Sequence, residues 1–162
     1  MKYFQHMRNS RIKQVKQLLA EIGENIPKKD FKNEHVSKST IGWQLDHALK
    51  VVNGVCKMLE ASNPKAYTSN FNLTRTVMFT FGYFPRGKGK SPKVVLPPDV
   101  ITSEDLLNQL ALAKTNLEKT KSLPKTSHFE HFLFGDLTKK QTVRFIEIHT
   151  KHHLKIVRDM LK

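Results

Sequence analysis

Residues 138–162 of the chain read TKKQTVRFIEIHTKHHLKIVRDMLK and contain three of the eight histidines within five positions. Thr138 can cap the start of a helix, and Gln141 stands three residues later, where it can complete a capping box. If the segment is helical, spacings of three and four residues create an inward-facing stripe of Ile146, His149, His153, Ile156, Val157 and Met160. The pattern therefore predicts a final helix that carries two imidazoles into the interior.

His149 and His153 lie one turn apart on this predicted helix, and such a pair can bind one metal ion. A third ligand has to come from elsewhere, and His47 lies on the wide buried face of an earlier predicted helix. His152 lies about 60° around the helix from His149 and is an alternative partner, although the i, i+4 spacing favours His153. A lone histidine on an apolar face is more often a hydrogen-bonded core residue, but three histidines that can converge favour a metal site.

Three further amphipathic helices are predicted before the final one. The first is expected to end at Gly23 and Pro27, the second covers residues 40–62, and the third begins at Thr102 or Ser103. No strand is clearly indicated, so the prediction is an all-α four-helix bundle that forms a single domain over residues 1–162. A long crossover connection between helices 2 and 3 lets those two helices run parallel, which predicts an up-down-down-up order.

Other residues of the second predicted helix have simpler interpretations. Asp46 precedes His47, but successive helical side chains point about 100° apart. It is therefore expected to be a surface carboxylate or a hydrogen-bond partner of the site rather than a ligand. Trp43 and Cys56 are predicted to be core residues.

The connection over residues 63–101 contains five of the seven prolines. Its run at residues 77–81 is compatible with a strand or a turn of helix. Residues 82–88 match G-x-x-x-x-G-K, but Gly89 replaces the serine or threonine of a phosphate loop, and prolines follow where a helix should begin. We therefore expect no nucleotide phosphate loop. The basic residues of this connection can hold an anionic substrate or form a solvated loop, and they are Arg86, Lys88, Lys90 and Lys93.

A second connection, LPKTSHFEHFLFGDL at residues 123–137, is rich in aromatic side chains. It is predicted to pack over one end of the bundle. Its two histidines, His128 and His131, are expected to serve packing or substrate contact rather than metal ligation.

Composition limits the class of protein. The single cysteine excludes an internal disulfide and fits a reducing cytoplasm. The first residues lack the apolar run of a signal peptide, and no stretch approaches the roughly 18 apolar residues of a membrane helix. We therefore expect a cytoplasmic protein with no membrane segment.

The chain has 28 Lys and Arg residues against 14 Asp and Glu residues, a formal charge of +14. Such an excess raises affinity for polyanions, so a nucleic-acid binder is one alternative. The charges are scattered, however, and accompany no nucleic-acid-binding motif. Nucleic acid is therefore not the expected partner.

Four stretches together resemble one family. They are TIGWQLDHALKVV, FPRGKGKSPK, HFLFGDLT and FIEIHTKHHLKI. The combination resembles the DinB/YfiT-like superfamily of metal-binding four-helix bundles, and within it a bacterial branch of unknown function. The resemblance covers nearly the whole chain. It implies a divalent metal ion, commonly nickel, zinc or iron, held by His47, His149 and His153 with positions open to water or substrate.

Some members of that superfamily transfer low-molecular-weight thiols such as bacillithiol or mycothiol, and its bundles often dimerise. The resemblance thus implies a small-molecule substrate, with a homodimer as an option for which the sequence indicates no interface. A metal held by three imidazoles lowers the pKa of bound water toward roughly 7 or binds a thiolate directly. Glu147 or His152 is the expected proton shuttle. The two rival hypotheses are a metal- or ligand-binding module without catalysis and the nucleic-acid binder.

Overall fold

The structure, a computed structural model, describes residues 2–87 and 92–162, with side chains from residue 11 onward. Within these residues the chain is mostly helical, as predicted. The helices are α1 (Lys2–Asn25), α2 (Ile41–Ala61), α3 (Leu73–Phe81), α4 (Ser103–Lys119) and α5 (Lys139–Met160). Two short strands, β1 (His128–His131) and β2 (Gly135–Thr138), pair antiparallel.

Side-chain caps account for where the helices begin. The Thr138 side chain accepts a hydrogen bond from the Gln141 backbone N–H, and the Gln141 side chain accepts one from the Thr138 backbone, so the predicted capping box of α5 is present. Thr40 caps α2 and Thr102 caps α4 in the same local manner. These caps confirm the predicted starts of the three helices.

The first helix ends at Asn25, between the two residues that were predicted to end it, and Gly23 lies inside α1. A Cβ atom at Gly23 would lie 3.1 Å from the Leu110 side chain of α4. The glycine therefore allows close contact between α1 and α4 instead of terminating the helix. Pro27 lies in a short 3-10 turn directly after α1.

Two elements add to the predicted set of helices. Residues 77–81, which the sequence left open between strand and helix, form the second half of α3. The connection at residues 123–137 contributes the β-hairpin, in which Phe129 pairs with Leu137 and both side chains are buried. Alternating burial along such short strands gives too weak a periodic signal to be recognised from sequence alone.

The four long helices contact one another in a ring, with α1 touching α4 and α5, and α2 touching the same two helices. Between α2 and α4, Asp46 bonds to Gln109 and Asn53 bonds to Asn116, so residue numbers rise together along both helices. The contacts between α1 and α5 follow the same rule, because Arg11 pairs with Glu147 and Glu21 pairs with Arg158. Each of these two pairs of helices therefore runs parallel.

α3 and the hairpin are joined by one buried arginine. Arg75 is 7% exposed, and its Nη1 donates to the carbonyl oxygens of Phe134 at 2.9 Å and Asp136 at 3.2 Å. The same guanidinium also bonds to Asn70. Hydrogen bonds to several carbonyl groups replace the water that a buried charge would lose. Arg75 therefore holds α3 against the hairpin at one end of the ring of helices.

None of the helices in the described ranges is both long enough and apolar enough to cross a membrane.

Candidate metal centre

The three predicted histidines converge. His47 comes from α2, and His149 and His153 come from α5, with one potential ligand atom from each lying within 4.8 Å of the other two. His47 is 3% exposed and His153 is 8% exposed, whereas His149 is half-buried. The ring of His153 lies 4.7 Å from the ring of His47 and 4.6 Å from the ring of His149. These three close histidines can hold a metal ion.

Hydrogen bonds decide which nitrogen is available on two of the rings. Nδ1 of His47 donates to the carbonyl oxygen of Val95 at 2.8 Å, and Nδ1 of His153 donates to the side-chain oxygen of Gln44 at 2.7 Å. These oxygens can only accept, so each Nδ1 carries the proton. The lone pair on Nε2 is therefore left for a metal ion, as in metal-binding histidines whose other nitrogen is held by a carbonyl group.

His149 supplies an independent indication. Its Nδ1 is buried and has no hydrogen-bond partner within the described part of the chain. A buried polar atom without a partner costs free energy, and a bound ion is one of the recognised explanations for such an atom. The orphaned nitrogen therefore fits a site that is completed by a cation.

The protonation of the rings also suits a metal ion. Burial lowers the pKa of His149 and His153 well below the usual value, and the neighbouring imidazoles lower it further. Burial is also the main cause of the lowered pKa of His47. Neutral imidazoles are the form that coordinates metal. A zinc–nitrogen bond of about 2.0–2.1 Å places tetrahedral ligands about 3.3 Å apart, so modest side-chain rotations would close the site.

Aromatic rings form two walls of the site. Trp43, predicted to be a core residue, is half-buried and stacks on His47 with ring centres 5.2 Å apart and planes 18° apart. Phe145 lies 5.6 Å from His149. Trp43 is one helical turn before His47, so the i, i+4 spacing is itself a signal in the sequence for this contact.

His152 is close to the three histidines but is not part of the cluster. It is half-buried, and its Nδ1 donates to the carbonyl oxygen of Phe84 at 3.0 Å. Within the described residues, the potential ligand atoms that meet are those of His47, His149 and His153. The preference for His153 over His152 therefore agrees with the geometry.

The long connection between α2 and α4 provides backbone oxygens on two sides of the site. Phe84 accepts from His152, and Val95 accepts from His47. Between them, Arg86 pairs with Asp159 at 2.6 Å, and Lys93 is exposed. The two remaining basic candidates, Lys88 and Lys90, lie outside the described residues. The segment that carries the predicted anion-binding residues is thus hydrogen-bonded to His152 at one end and to His47 at the other.

Glu147 lies on another side of α5, about 200° around the helix from His149. It is 1% exposed, and its carboxylate accepts from Lys151 at 2.6 Å and Arg144 at 3.0 Å, with Arg11 at 3.5 Å. Burial by itself would raise the pKa of the Glu147 carboxyl group, but the hydrogen bonds from Lys151 and Arg144 outweigh it and lower the pKa. The contacts of Glu147 thus connect α5 with α1, while those of the histidines connect α5 with α2.

Asp46 is buried, not at the surface. It is 2% exposed, accepts from Gln109 at 2.7 Å and pairs with Lys50 at 2.8 Å. Lys50 also donates to the carbonyl oxygen of Leu96, next to the Val95 that orients His47. Asp46 therefore helps to hold Lys50, which in turn bonds to the backbone next to the carbonyl group that orients His47.

His128 and His131 both lie in the first strand of the hairpin. The backbone N–H of His128 donates to Ser62, and its ring lies 5.6 Å from the ring of Tyr67. The His131 ring stacks on Phe132 at 4.6 Å and on Phe134 at 4.5 Å. These contacts place both side chains in packing roles.

The stability of the hairpin region is expected to depend on His131 and pH. Burial lowers the pKa of His131 to about 4, so its contribution to stability is present above the unfolded value of 6.5 and is lost as pH falls from there through 4. We expect the loss of unfolding free energy caused by His131→Gln to shrink by up to about 1 kcal/mol between about pH 7 and pH 5, after allowance for solvent screening. Urea unfolding in the presence of EDTA measures it. His35→Gln, at an exposed histidine, is the control. The prediction would be contradicted if His131→Gln lost the same unfolding free energy at both pH values.

Gln44 provides a test of how the imidazole of His153 is held. Replacing Gln44 by Ala removes the oxygen that accepts from Nδ1 and leaves a buried N–H without its partner. Loss of a hydrogen-bond partner of a ligating histidine lowers metal affinity by about 10–100-fold. Competition titration of Zn²⁺ against a chromophoric chelator measures this change. Asn116→Ala, which removes a hydrogen bond to Asn53 between α4 and α2, is the matched control and should keep the wild-type affinity. Equal affinities for the Gln44→Ala variant and the wild type would refute the role.

The fold and the site define a mostly helical protein with a buried three-histidine cluster that can hold a metal ion. A family model described as "Protein of unknown function (DUF1569)" matches residues 35–160. The chain therefore belongs to this family, and the matched region contains all three histidines. No curated protein and no solved structure gives a significant match.

Proposed function

We propose that this chain is a divalent-metal-dependent protein of the DinB/YfiT-like superfamily, and that His47, His149 and His153 hold nickel, zinc or iron. The observation that carries the proposal is the convergence of three buried or half-buried imidazoles from two helices within 4.8 Å. The bonds from Nδ1 of His47 and His153 to oxygens support it, because they leave Nε2 without a proton.

The directions of the helices also support membership of that superfamily. α1 and α5 run parallel, as do α2 and α4. α1 and α4 run antiparallel, because Lys16 contacts Glu118 whereas Gly23 lies against Leu110. These directions suit a four-helix bundle of up-down-down-up order, with the connection between α2 and α4 as its crossover. α3 and the hairpin are then additions at one end of the bundle.

The proposed activity is transfer of a low-molecular-weight thiol or hydrolysis of a small molecule. A divalent ion supplies a Lewis acid that favours the deprotonated form of a thiol or a water molecule. The residues of the chain position the ligands, because Val95 and Gln44 fix two imidazole rings, and Trp43 covers one side of His47. Arg86 and Lys93, together with Lys88 and Lys90, are the proposed contacts for carboxylates of the substrate.

Metal content is the experiment that tests the site. Protein purified without a histidine tag or chelator should contain about one divalent ion per chain, measured by elemental mass spectrometry. The identity of the ion distinguishes nickel, zinc and iron. Folded protein that remains metal-free after incubation with each of the three ions and gel filtration would refute the proposal.

A metal-binding module without catalysis is the second candidate, and the burial of His47 and His153 favours it, because access for a substrate is limited to the side of the half-buried His149. Turnover separates the two candidates. The metal-loaded protein is mixed with an electrophile and a bacterial thiol, and loss of the thiol is followed. If thiol is lost faster than with the metal-free protein, the protein is an enzyme. If the rate is unchanged although the metal is tightly held, the protein is a metal-binding module.

A further inference from the structure

A cleft of about 350 Å³ lies between α2 and α4 and is closed at one end by the segment that leads into α4. Pockets of about 300–1,000 Å³ are the usual size for small ligands. Its polar side chains come from one turn of α2 and one turn of α4: Asp46, Lys50, Asp105, Asn108 and Gln109. We call it the α2–α4 cleft. None of the three clustered histidines lines it.

Two oxygen atoms from α4 are available in the α2–α4 cleft. Gln109 donates from Nε2 to Asp46 at 2.7 Å, and its Oε1 accepts no hydrogen bond from the described part of the chain. Asp105 is exposed and accepts from the hydroxyl group of Thr102 through Oδ2 at 2.6 Å, which leaves Oδ1 free in the same sense. The α4 side of the cleft therefore offers acceptors of hydrogen bonds.

The carboxylate of Asp46 contributes a buried acceptor on the α2 side. Its side chain is 2% exposed, and Oδ2 is buried without a hydrogen bond from any described residue. Nζ of Lys50 lies 2.8 Å from this oxygen, in an ion pair that lacks the angles of a hydrogen bond. A buried polar atom without a hydrogen bond costs free energy, and an N–H group entering the cleft would remove that cost.

Lys50 is already occupied by the protein itself. Besides the ion pair with Asp46, its ammonium group donates to the carbonyl oxygen of Leu96 at 3.1 Å. The cation of the cleft is thus neutralised by one carboxylate, while the carboxylate of Asp105 has no cation paired with it in the described residues. This balance favours a positively charged ligand over a negatively charged one.

The sequence around the α2–α4 cleft has the opposite charge to the rest of the chain. Residues 94–113 contain no Lys or Arg, although the whole chain has 28, and they contain Asp99, Glu104 and Asp105. A protein of net charge +14 repels small cations in general. A cation that binds here is therefore selected by the local groups of the cleft.

The lining favours an organic cation over a bare metal ion. Within the described ranges, the groups of at least three His, Cys, Asp or Glu residues whose ligand atoms meet are limited to the histidine cluster, so the cleft lacks such a set. Pro98 and Ile101 supply an apolar wall next to the polar groups. An ammonium group has N–H donors and no acceptor, which suits a lining rich in free oxygens.

We infer that the α2–α4 cleft binds a small organic ammonium ion of the class of aliphatic amines and diamines. The ammonium group donates to Asp105, Gln109 and Asp46, and the methylene chain lies against Pro98 and Ile101. This binding site is separate from the proposed metal chemistry, because the histidines that would hold the metal line none of it.

Calorimetric titration with hexamethylenediamine tests the binding. The diamine is fully protonated at about pH 7, and it should bind saturably, one per chain, at about 0.15 M salt. Hexanediol has the same length without charge and should bind at least about tenfold more weakly, because hydrogen bonds to charged groups are the stronger ones.

Three variants locate the diamine in the α2–α4 cleft. Asp105→Asn should lower its affinity about tenfold, because it removes the unpaired carboxylate. Glu104→Gln is the matched control, since it makes the same change of charge at the neighbouring exposed residue outside the lining, and it should bind like the wild type. Asn108→Asp adds a carboxylate at an exposed position of the lining and should raise the affinity about two- to fivefold. Circular dichroism checks that each variant is folded.

Amines also coordinate metal ions, so the metal centre has to be excluded as the site of binding. His153→Ala removes one proposed metal ligand and should bind the diamine as the wild type does. Loss of diamine binding in His153→Ala would overturn the inference, even if the metal site itself is confirmed.

The inference is also overturned if no saturable binding appears up to about 10 mM diamine, a concentration that detects even weak binding. Equal affinity for hexanediol, or equal affinity of Asp105→Asn and Glu104→Gln, would have the same consequence. If Mg²⁺ or Ca²⁺ binds in a manner that Asp105→Asn abolishes while the diamine does not bind, the cleft is a metal site and the inference is wrong.

Discussion

His153→Ala is expected to abolish stoichiometric metal binding while leaving the helical content of the protein intact. His153 supplies one of three imidazoles, and its ring centre lies 4.7 Å from that of His47 and 4.6 Å from that of His149. Its removal should lower affinity by more than the roughly 10–100-fold that loss of a supporting hydrogen bond produces. Titration with Ni²⁺ and Zn²⁺ against a competing chelator measures the change.

His152→Ala is the matched control, because His152 neighbours His153 on the helix but bonds to the Phe84 carbonyl oxygen outside the cluster. It should retain about one ion per chain. If both variants lose metal equally, or if His153→Ala keeps the wild-type affinity, the assignment of ligands is wrong. Circular dichroism of both variants separates loss of a ligand from loss of the fold.

Glu147→Gln is expected to cost the protein roughly 3 kcal/mol of unfolding free energy, because it removes the carboxylate that faces three cations. The Glu147 side chain is 2% exposed, whereas Arg144 is 20% exposed and Lys151 is 44% exposed, so the value lies at the lower end for a buried ion pair. Because the pKa of Glu147 is lowered in the folded state, this stabilisation is present above the usual carboxyl pKa of 4.5 and is lost as pH falls below it. Urea unfolding at pH 7 and at lower pH measures both effects.

The control for this prediction is Glu118→Gln, because the Glu118 side chain is 44% exposed and pairs with Lys16 and Lys121. Exposed ion pairs contribute less than about 1 kcal/mol, so this variant should stay close to the wild type. Metal content of Glu147→Gln should equal that of the wild type. A Glu147→Gln protein that keeps full stability and metal but loses thiol turnover would instead favour the predicted proton shuttle.

Much of the site follows from local patterns in two segments. The capping box at Thr138 sets where α5 begins, and the four-residue spacing then puts His149 and His153 on one face. His47 falls on the buried face of α2 for the same reason. These features depend only on residues within one or two turns, which explains why they can be recognised without coordinates.

Other features depend on contacts that no local pattern contains. The hairpin turn needs Gly135, whose φ is +66° and where a Cβ atom would lie 2.8 Å from the Asn70 side chain. The cations that surround Glu147 include Arg11, which lies 136 residues earlier in the chain, so no local pattern could indicate this ion pair. The exposure of Leu73, Val77 and Phe81 likewise follows from which face of α3 the hairpin covers.

Capping and periodicity act over a few residues, so local patterns are enough to predict the long helices, their starts and the inward direction of the three histidines. Long-range packing determines that these imidazoles meet, which nitrogen of His47 and His153 remains free, and which apolar face of α3 stays in solvent. Those outcomes depend on a carbonyl oxygen of Val95, an amide of Gln44 and the packing of the hairpin, and these groups reach their positions only when distant segments fold together.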